Sequence, residues 1–156
     1  MSGIISTSPD MRSGVVGKAP KGSIIQVIKN YSETETAVAS GSWTAVNGTV
    51  TITPRFASSL IRIMFDTGGI AVGTSAAALQ LQIKRNTTII SHRERHGYCR
   101  TGTYISCPVT YEYIDEPGLT TAIVYSLEAT KDADTWEINS ADGTNSLTAI
   151  AMEISN

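Results

Sequence analysis

The residues best suited to chemistry lie close together in residues 92–106, which read His-Arg-Glu-Arg-His-Gly-Tyr-Cys-Arg-Thr-Gly-Thr-Tyr-Ile-Ser. His92, Glu94 and His96 occupy every second position, so on a strand their side chains would share one face. These are ligand types that zinc accepts, and copies of the chain around a threefold axis would bring them into a ring. The alternative is a solvated charge cluster in a polar loop. We favour that alternative and predict no metal and no other cofactor.

The same segment is typical of a loop that binds a ligand. Arginine forms bidentate pairs with anions, and aromatic rings offer flat surfaces for stacking. We therefore interpret residues 92–106 as a long irregular loop whose tip contacts a host ligand. A loop packed at a subunit interface, or simply solvated, is the alternative. The candidate contact residues are His92, Arg93, Arg95, His96, Tyr98, Arg100 and Tyr104.

Sequence patterns of common catalytic sites are missing. The Gly-x-Ser-x-Gly motif does not occur, and the glycines in residues 68–73 lack the spacing and the following lysine of a phosphate-binding loop. We predict that the protein is not an enzyme. A carbohydrate-active enzyme remains an alternative because carboxylate pairs are present, namely Glu112 with Glu116 or Asp132 with Asp134.

Length and charge narrow the class of protein. The chain has 156 residues, which suits one domain with its own core. Its net charge is -2, and no stripe of Lys and Arg is present to neutralise a nucleic acid. Apolar stretches are far shorter than the ~20 residues of a membrane helix, and no secretory signal is visible. We expect no nucleic-acid partner, no membrane insertion and folding in a cytoplasm, where Cys99 and Cys107 would be free thiols or, alternatively, a disulfide across one hairpin.

Residues 1–22 differ from the rest of the chain. Glycine and proline recur there at a density that prevents a helix and interrupts strands. We predict an N-terminal arm over residues 1–22 and a β-sandwich domain over residues 23–156. The apolar residues of the arm are candidate assembly contacts, namely Ile4, Ile5, Val15 and Val16.

Period-two alternation predicts strands throughout the domain. Residues 24–29 carry apolar side chains in both alternating sets, which predicts a strand buried on both faces, as expected if one face meets a neighbouring copy of the chain. Asn47 and Gly48, between residues 43–46 and 49–53, form the strongest short signal for a β-hairpin. The other alternating segments are residues 59–66, 77–85, 109–113, 120–130, 136–138 and 147–154.

The alternation also predicts which side chains form the core. In residues 59–66 one face carries Ile61, Ile63 and Phe65. In residues 77–85 the inward set is Leu79, Leu81 and Ile83, and the outward set is Gln80, Gln82 and Lys84. Residues 120–130 place Ile123, Tyr125 and Leu127 on one face. Because no window has helical periodicity, eight to ten short strands predict an all-β sandwich or barrel.

Several segments resemble those of a known family, in the same order along the chain. Residues 51–61 read Thr-Ile-Thr-Pro-Arg-Phe-Ala-Ser-Ser-Leu-Ile, residues 81–90 read Leu-Gln-Ile-Lys-Arg-Asn-Thr-Thr-Ile-Ile, and residues 113–117 read Tyr-Ile-Asp-Glu-Pro. Residues 1–17 and 146–154 are similar to the opening and closing segments of the same family. Over most of its length the chain resembles small jelly-roll virion proteins of bacteriophages, especially phages of marine bacteria.

The resemblance implies an antiparallel jelly-roll β-sandwich like that of tumour necrosis factor or C1q, usually with three copies around an axis. Members of the family occur in tail fibres, receptor-binding tips and other virion appendages. This sequence departs from the family at Asn86 and Thr87, where Asx-Gly is usual, and the departure leaves the turn type open.

These observations predict a virion structural protein made in the cytoplasm of the bacterial host. In the first interpretation it is a tail-fibre or appendage component that forms a homotrimer and contacts a host-surface glycan or protein through residues 92–106. In the alternative it is a capsid decoration or cement protein, bound to other virion proteins through residues 1–22.

Overall fold

The computed structural model describes residues 11–12, 15–16, 19–38, 41–72, 77–91, 94–99, 105–131, 136–138 and 146–156. The regular structure within these ranges consists of strands. They are β1 (Met11–Arg12), β2 (Val15–Val16), β3 (Ile24–Ser32), β4 (Thr36–Val38), β5 (Thr44–Ile52), β6 (Leu60–Asp66), β7 (Ile70–Val72), β8 (Ala77–Arg85), β9 (Thr88–Ile89), β10 (Glu94–Cys99), β11 (Ile105–Cys107), β12 (Thr110–Asp115), β13 (Ile123–Lys131), β14 (Trp136–Ile138) and β15 (Leu147–Ile154). The described residues include no helix with the length and apolarity needed to cross a membrane.

Two antiparallel sheets form a sandwich. Sheet I has the strand order β12-β6-β15-β3, and β11-β7-β14-β4 continue the same four strands in the same lateral order. Sheet II has the order β10-β8-β13-β5, with β9 paired to β8. If β3 with β4, β6 with β7, β11 with β12 and β14 with β15 are each counted as one long strand, the two sheets contain eight long strands. In chain order these strands are arranged 6-3-8-1 in sheet I and 5-4-7-2 in sheet II. This is the arrangement of a jelly roll, and it confirms the predicted fold class.

The core lies between the two sheets, and the predicted alternation supplies most of it. Strands β6, β8 and β13 each turn one set of apolar side chains inward, and these side chains are fully buried. The members of this set are Ile61, Ile63, Phe65, Leu79, Leu81, Ile83, Ile123, Tyr125 and Leu127. Each of these inward assignments is confirmed.

Strand β15 turns its smaller side chains toward the core. Ala149 and Ala151 are fully buried, as is the carboxylate side chain of Glu153. The larger Ile150, Met152 and Ile154 occupy the alternate positions and are partly exposed. The volume between the sheets is therefore filled mainly by branched and aromatic residues of other strands, together with Leu147 at the start of β15, and from Ile150 onward β15 leaves its large apolar residues on the outside.

Within the single chain, residues 24–29 are not buried on both faces, and the expected contact of one face with a neighbouring copy stays a prediction. In the described part of the chain β3 is an edge strand, hydrogen-bonded to β15. Ile24 is 60% exposed, Val27 52% and Tyr31 64%. An antiparallel sheet packed on one side leaves its other face open, and β3 contributes apolar residues to that open face.

The predicted hairpin at Asn47 and Gly48 is also wrong. Both residues lie inside the continuous strand β5, at a β-bulge where the register with β13 shifts between Ser126 and Glu128. Gly48 has a φ of 128°, a value that side chains disfavour. The backbone N–H of Asn47 donates to Oγ1 of Thr36 at 2.9 Å. Asn47 and Gly48 thus form a bulge within a strand and no hairpin, because β5 pairs with β13 on both sides of them.

The turn at Asn86 is confirmed, and its conformation is now defined. Asn86 has a φ of 53°, in the left-handed region. Its side-chain Oδ1 accepts from the backbone N–H of Val124 at 3.0 Å, and its own N–H donates to the Val124 carbonyl at 2.7 Å. Asparagine is one of the few residues besides glycine that tolerate this conformation, and its bonds to Val124 hold the turn against β13 without the usual Asx-Gly pair.

Gln82 corrects one detail of the predicted outward set. It lies on the face of β8 that points away from the core, yet it is only 1% exposed. Its amide donates to Oε2 of Glu128 at 2.7 Å, and Nζ of Lys84 lies 2.8 Å from Oε1 of the same carboxylate. A polar residue can be buried on an outer face when a charged partner on the next strand accepts its amide hydrogen, although Oε1 of Gln82 has no hydrogen-bond partner among the described residues.

The strands of sheet I are interrupted at Gly68, where the chain approaches the start of β15 very closely. Gly68 has a φ of 64°. A Cβ atom built on it would lie 2.5 Å from the carbonyl oxygen of Ser146 and 2.9 Å from its backbone nitrogen. The backbone conformation at Gly68 and the lack of space around it therefore both exclude a side chain.

We predict that Gly68→Ala destabilises the fold much more than Gly118→Ala. Gly118 has nearly the same φ, 65°, but its Cβ would meet no atom within 4 Å. Gly118→Ala should therefore cost about 1 kcal/mol for the left-handed backbone. Gly68→Ala should cost about 3 kcal/mol, because backbone atoms must also move. Urea unfolding of the two variants measures the difference, and equal losses would contradict the close approach.

Candidate functional site: an apolar sheet face

The predicted contact loop is in part a pair of strands. β10 pairs antiparallel with β8 in sheet II, and β11 pairs antiparallel with β7. The prediction that residues 92–106 are irregular throughout is therefore wrong. Backbone pairing with a neighbouring strand satisfies the N–H and C=O groups, and polar side chains are well tolerated on an edge strand such as β10.

The predicted ligand contacts fall into two groups. Arg95, His96 and Tyr98 lie on β10, of which the structure describes the backbone. The residues outside the described ranges are His92, Arg93, Arg100 and Tyr104. The ligand contact and the metal set of His92, Glu94 and His96 both stay predictions. Elsewhere in the described ranges, no three His, Cys, Asp or Glu side chains form a metal-binding group.

Cys99 and Cys107 end β10 and β11, respectively. These two strands pair with different neighbours, β8 and β7, so they do not form the single hairpin that the disulfide alternative assumed.

The predicted arm is described in part. Val15 and Val16 form β2, which pairs with β1, while Ile4 and Ile5 lie outside the described residues. The final residues of the arm are fastened to the end of β15. The Ser155 hydroxyl donates to the Ala19 carbonyl at 2.9 Å, and the Gly22 N–H donates to the Ser155 carbonyl at 2.7 Å. The division of the chain at residue 22 and the assembly role of the arm stay predictions.

The structure reveals an apolar surface on the side of sheet I that faces away from the core, of which the sequence indicated only the part on β3. Cross-strand pairing places one side chain from each of β3, β15, β6 and β12 in a row across this side. One row consists of Lys29, Ile150, Met64 and Glu112. The adjacent row consists of Val27, Met152, Arg62 and Ile114.

We call the apolar residues of this side the apolar face. Val27 and Ile114, on the two edge strands, are 52% and 55% exposed, and the members on the central strands are partly exposed. Its aliphatic residues and methionines are Ile24, Val27, Leu60, Met64, Ile114, Ile150, Met152 and Ile154, and Tyr31 lies one row further along β3. A contiguous apolar patch of this kind, rimmed by polar side chains, is typical of a protein–protein interface.

Charged side chains lie at the two edges of the apolar face, and Arg62, on the central strand β6, lies within it. Lys29 is exposed on β3 at one edge. Glu112 lies on β12 at the other edge, where Nη2 of Arg62 is 2.6 Å from its Oε2. Both members of this ion pair are largely exposed, so it contributes little to stability, about 0–1 kcal/mol.

The orientation of the apolar face depends on Glu153, which is fully buried. Its Oε1 accepts from the backbone N–H of Arg55 at 2.7 Å, the N–H of Phe56 at 3.2 Å and the Ser59 hydroxyl at 2.7 Å. Its Oε2 accepts from Nε2 of Gln26 on β3 at 2.6 Å. One carboxylate therefore joins β15, the edge strand β3 and the segment that leads into β6.

These hydrogen bonds determine the charge state of Glu153. Burial by itself raises the pKa of the carboxyl group, and the bonds from Ser59, Gln26, Arg55 and Phe56 together outweigh burial and lower the pKa below its ordinary value. The carboxylate is thus held ionised and inward. Because side chains alternate along a strand, Ile150, Met152 and Ile154 must then point outward.

A second buried carboxylate joins the two sheets. Asp115, at the end of β12 in sheet I, accepts from Nη1 of Arg85 on β8 at 3.0 Å and from the Tyr125 hydroxyl on β13 at 2.7 Å. Burial is the main cause that raises the pKa of Tyr125 above its ordinary range, and the hydrogen bond to Asp115 raises it further. The tyrosine hydroxyl therefore stays a donor, and the outer edge of sheet I is tied to the centre of sheet II.

We predict that Glu153→Gln destabilises the fold in a pH-dependent way. The amide cannot accept from all four donors, so at neutral pH the loss should be about 1–3 kcal/mol. Since the folded pKa of Glu153 lies below the unfolded one, its stabilising effect is complete above the unfolded pKa and is lost as pH falls through the folded pKa. Urea unfolding across the acid range should show the two proteins converging. Glu112→Gln, on the surface, is the control, and a constant difference at every pH would contradict this role of Glu153.

Comparison with known proteins finds solved structures with a similar fold. No protein-family model matches the chain, and no curated protein matches it. It is similar to a mutant VP2 protein of infectious bursal disease virus in derived T=1 particles, at 12% identity and a TM-score of 0.45, over 97% of this chain and 40% of that one. It is also similar to a chain in the structure of the infectious bursal disease virus Gx strain, at 13% identity and a TM-score of 0.43, over 99% of this chain and 42% of that one. The chain spans about two fifths of the length of each of these two chains.

Proposed function

We propose that this chain is a structural protein of a bacteriophage virion and that the apolar face is one of its assembly surfaces. The observation that carries the proposal is the apolar face itself: eight apolar side chains on four adjacent strands turn away from the core. Two further points support it. The fold is a jelly roll, and the sequence resembles jelly-roll virion proteins of phages in several segments along its length.

Within that class, we propose a tail-fibre or appendage component that forms a homotrimer and takes part in host attachment. The contact surface would be the part of the chain around β10 and β11. β10 is an edge strand of sheet II, so Arg95, His96 and Tyr98 lie at the margin of the sandwich. Edge positions give a ligand access without disturbing the core.

A capsid decoration or cement role is the second candidate, and the attachment of the arm favours it. Ala19 and Gly22 are fastened to Ser155, directly after β15. Ala19 therefore lies beside the end of β15, next to Ile154 at one end of the apolar face. An arm that starts there is well placed to reach a neighbouring protein that covers this face.

We predict that Val27→Glu removes the protein from the virion and that Val124→Glu does not. Val27 lies on the apolar face, whereas Val124 is 38% exposed on β13 and points away from the core on the other side of the sandwich. Both variants should fold with similar urea midpoints, since both side chains are at the surface. Quantitative blotting of purified phage particles should show at least about a tenfold loss for Val27→Glu, because a carboxylate without a partner cannot be buried cheaply. Normal incorporation of Val27→Glu into the virion would contradict the proposal.

The attachment and cement roles are separable in the same phage. Replacing residues 100–104, between β10 and β11, with a Gly-Ser linker leaves both strands in place. The attachment role predicts normal incorporation and impaired adsorption to host cells. Deleting residues 1–18 keeps Ala19, whose carbonyl accepts from Ser155. Unchanged adsorption by the linker variant, together with fragile particles after the deletion, would favour the cement role instead.

A further inference from the structure

One row across the apolar face has opposite charges at its two ends, and this arrangement suggests what covers the face. In the row Lys29, Ile150, Met64 and Glu112, the cation lies on one edge strand and the anion on the other. The midline of sheet I runs between β15 and β6, so Lys29 and Glu112 lie at equal distances from it. Strand spacing sets that distance at about 7 Å on either side.

A two-fold axis along this midline would make the face complementary to itself. Rotation about such an axis exchanges the two edges and keeps each row level with itself. Lys29 of one copy would then face Glu112 of the other, and this pair would occur twice. Ile150 would meet Met64 and, in the next row, Val27 would meet Ile114. The remaining charged residues would face uncharged ones. Arg62 would face Met152, and in the next row along the strands, which contains Thr148 and Asp66, Asp66 would face Thr148.

The other two-fold arrangement of stacked faces is disfavoured by charge. An axis lying across the strands at this row would place Lys29 over Lys29 and Glu112 over Glu112. Like charges opposed at an interface cost binding energy, so the charge order selects the axis that runs along the strands.

We propose that the apolar face is covered by the same face of a second copy of this chain, related by a two-fold axis that runs along the strands between β15 and β6. The proposal rests on the proposed function, because it names the partner of that assembly surface. Two sheets stacked in this way lie about 10 Å apart with their strands within about 30° of each other, as the sheets of a β-sandwich do. A trimer built through other surfaces is compatible with this contact, which would then join trimers in pairs.

Charge exchange between two variants tests the axis directly. Lys29→Glu alone would oppose two carboxylates across the interface, and Glu112→Lys alone would oppose two ammonium groups. A mixture of the two variants allows a mixed dimer. In that dimer each charge pair joins a carboxylate of the Lys29→Glu copy to an ammonium group of the Glu112→Lys copy, so the like-charge contacts are relieved. Lys131→Glu, on β13 of sheet II, and Glu33→Lys, after the end of β3, are matched controls, because they make the same charge changes outside the rows of the apolar face.

The measurement is sedimentation equilibrium of the full chain at low salt. Each face variant alone should associate about tenfold more weakly than the wild type, and the equimolar mixture should recover most of the wild-type association. The two control variants should associate like the wild type. Variants indistinguishable from their controls, or a mixture no stronger than its components, would overturn the two-fold pairing.

The two proposals can fail separately. If Val27→Glu is lost from the virion but the charge variants behave like their controls, the apolar face binds another partner and the proposed function stands. If Val27→Glu is incorporated normally, the proposed function fails, whatever the charge variants do in solution.

Discussion

The inward position of one carboxylate, Glu153, determines the outer surface of this protein. Four donors from two parts of the chain, β3 and the segment before β6, hold it inside and keep it ionised although it is buried. Strand β15 can therefore adopt a single register, because a slip of one residue would bring the charge to the surface and leave those donors unpaired. The same register turns Ile150, Met152 and Ile154 outward. A polar constraint inside the sandwich thus produces an apolar surface outside it.

The second buried carboxylate makes that surface rigid. Asp115 ties the end of β12 to Arg85 and Tyr125 on sheet II, so both edge strands of sheet I are anchored: β12 through Asp115 and β3 through the contact of Gln26 with Glu153. An interface on a sheet held at both edges loses little conformational freedom when it is covered. The architecture therefore favours a role in assembly, where a fixed flat surface must meet another one repeatedly.

The sequence was sufficient for the fold class and for most of the core, because period-two alternation in β6, β8 and β13 depends on residues within each strand. It was insufficient where a partner far along the chain decides the outcome. Asn47 and Gly48 carry a local hairpin signal, but pairing with β13 makes them a bulge. Apolar residues on both faces of β3 suggested burial, whereas the edge position leaves them exposed. In β15 both alternating sets contain apolar residues, so the alternation assigned neither side to the core, and only the distant donors of Glu153 reveal which side is buried.

The central claim is that the outer side of sheet I is an assembly surface. The most direct test is a cryo-electron microscopy reconstruction of the assembled protein, in the virion or as the purified oligomer, at a resolution that shows side chains. We expect Met152 and Ile150 to be covered by another protein surface and Glu153 to remain buried beneath them. A reconstruction in which this side of the sheet faces solvent in every copy would contradict the claim.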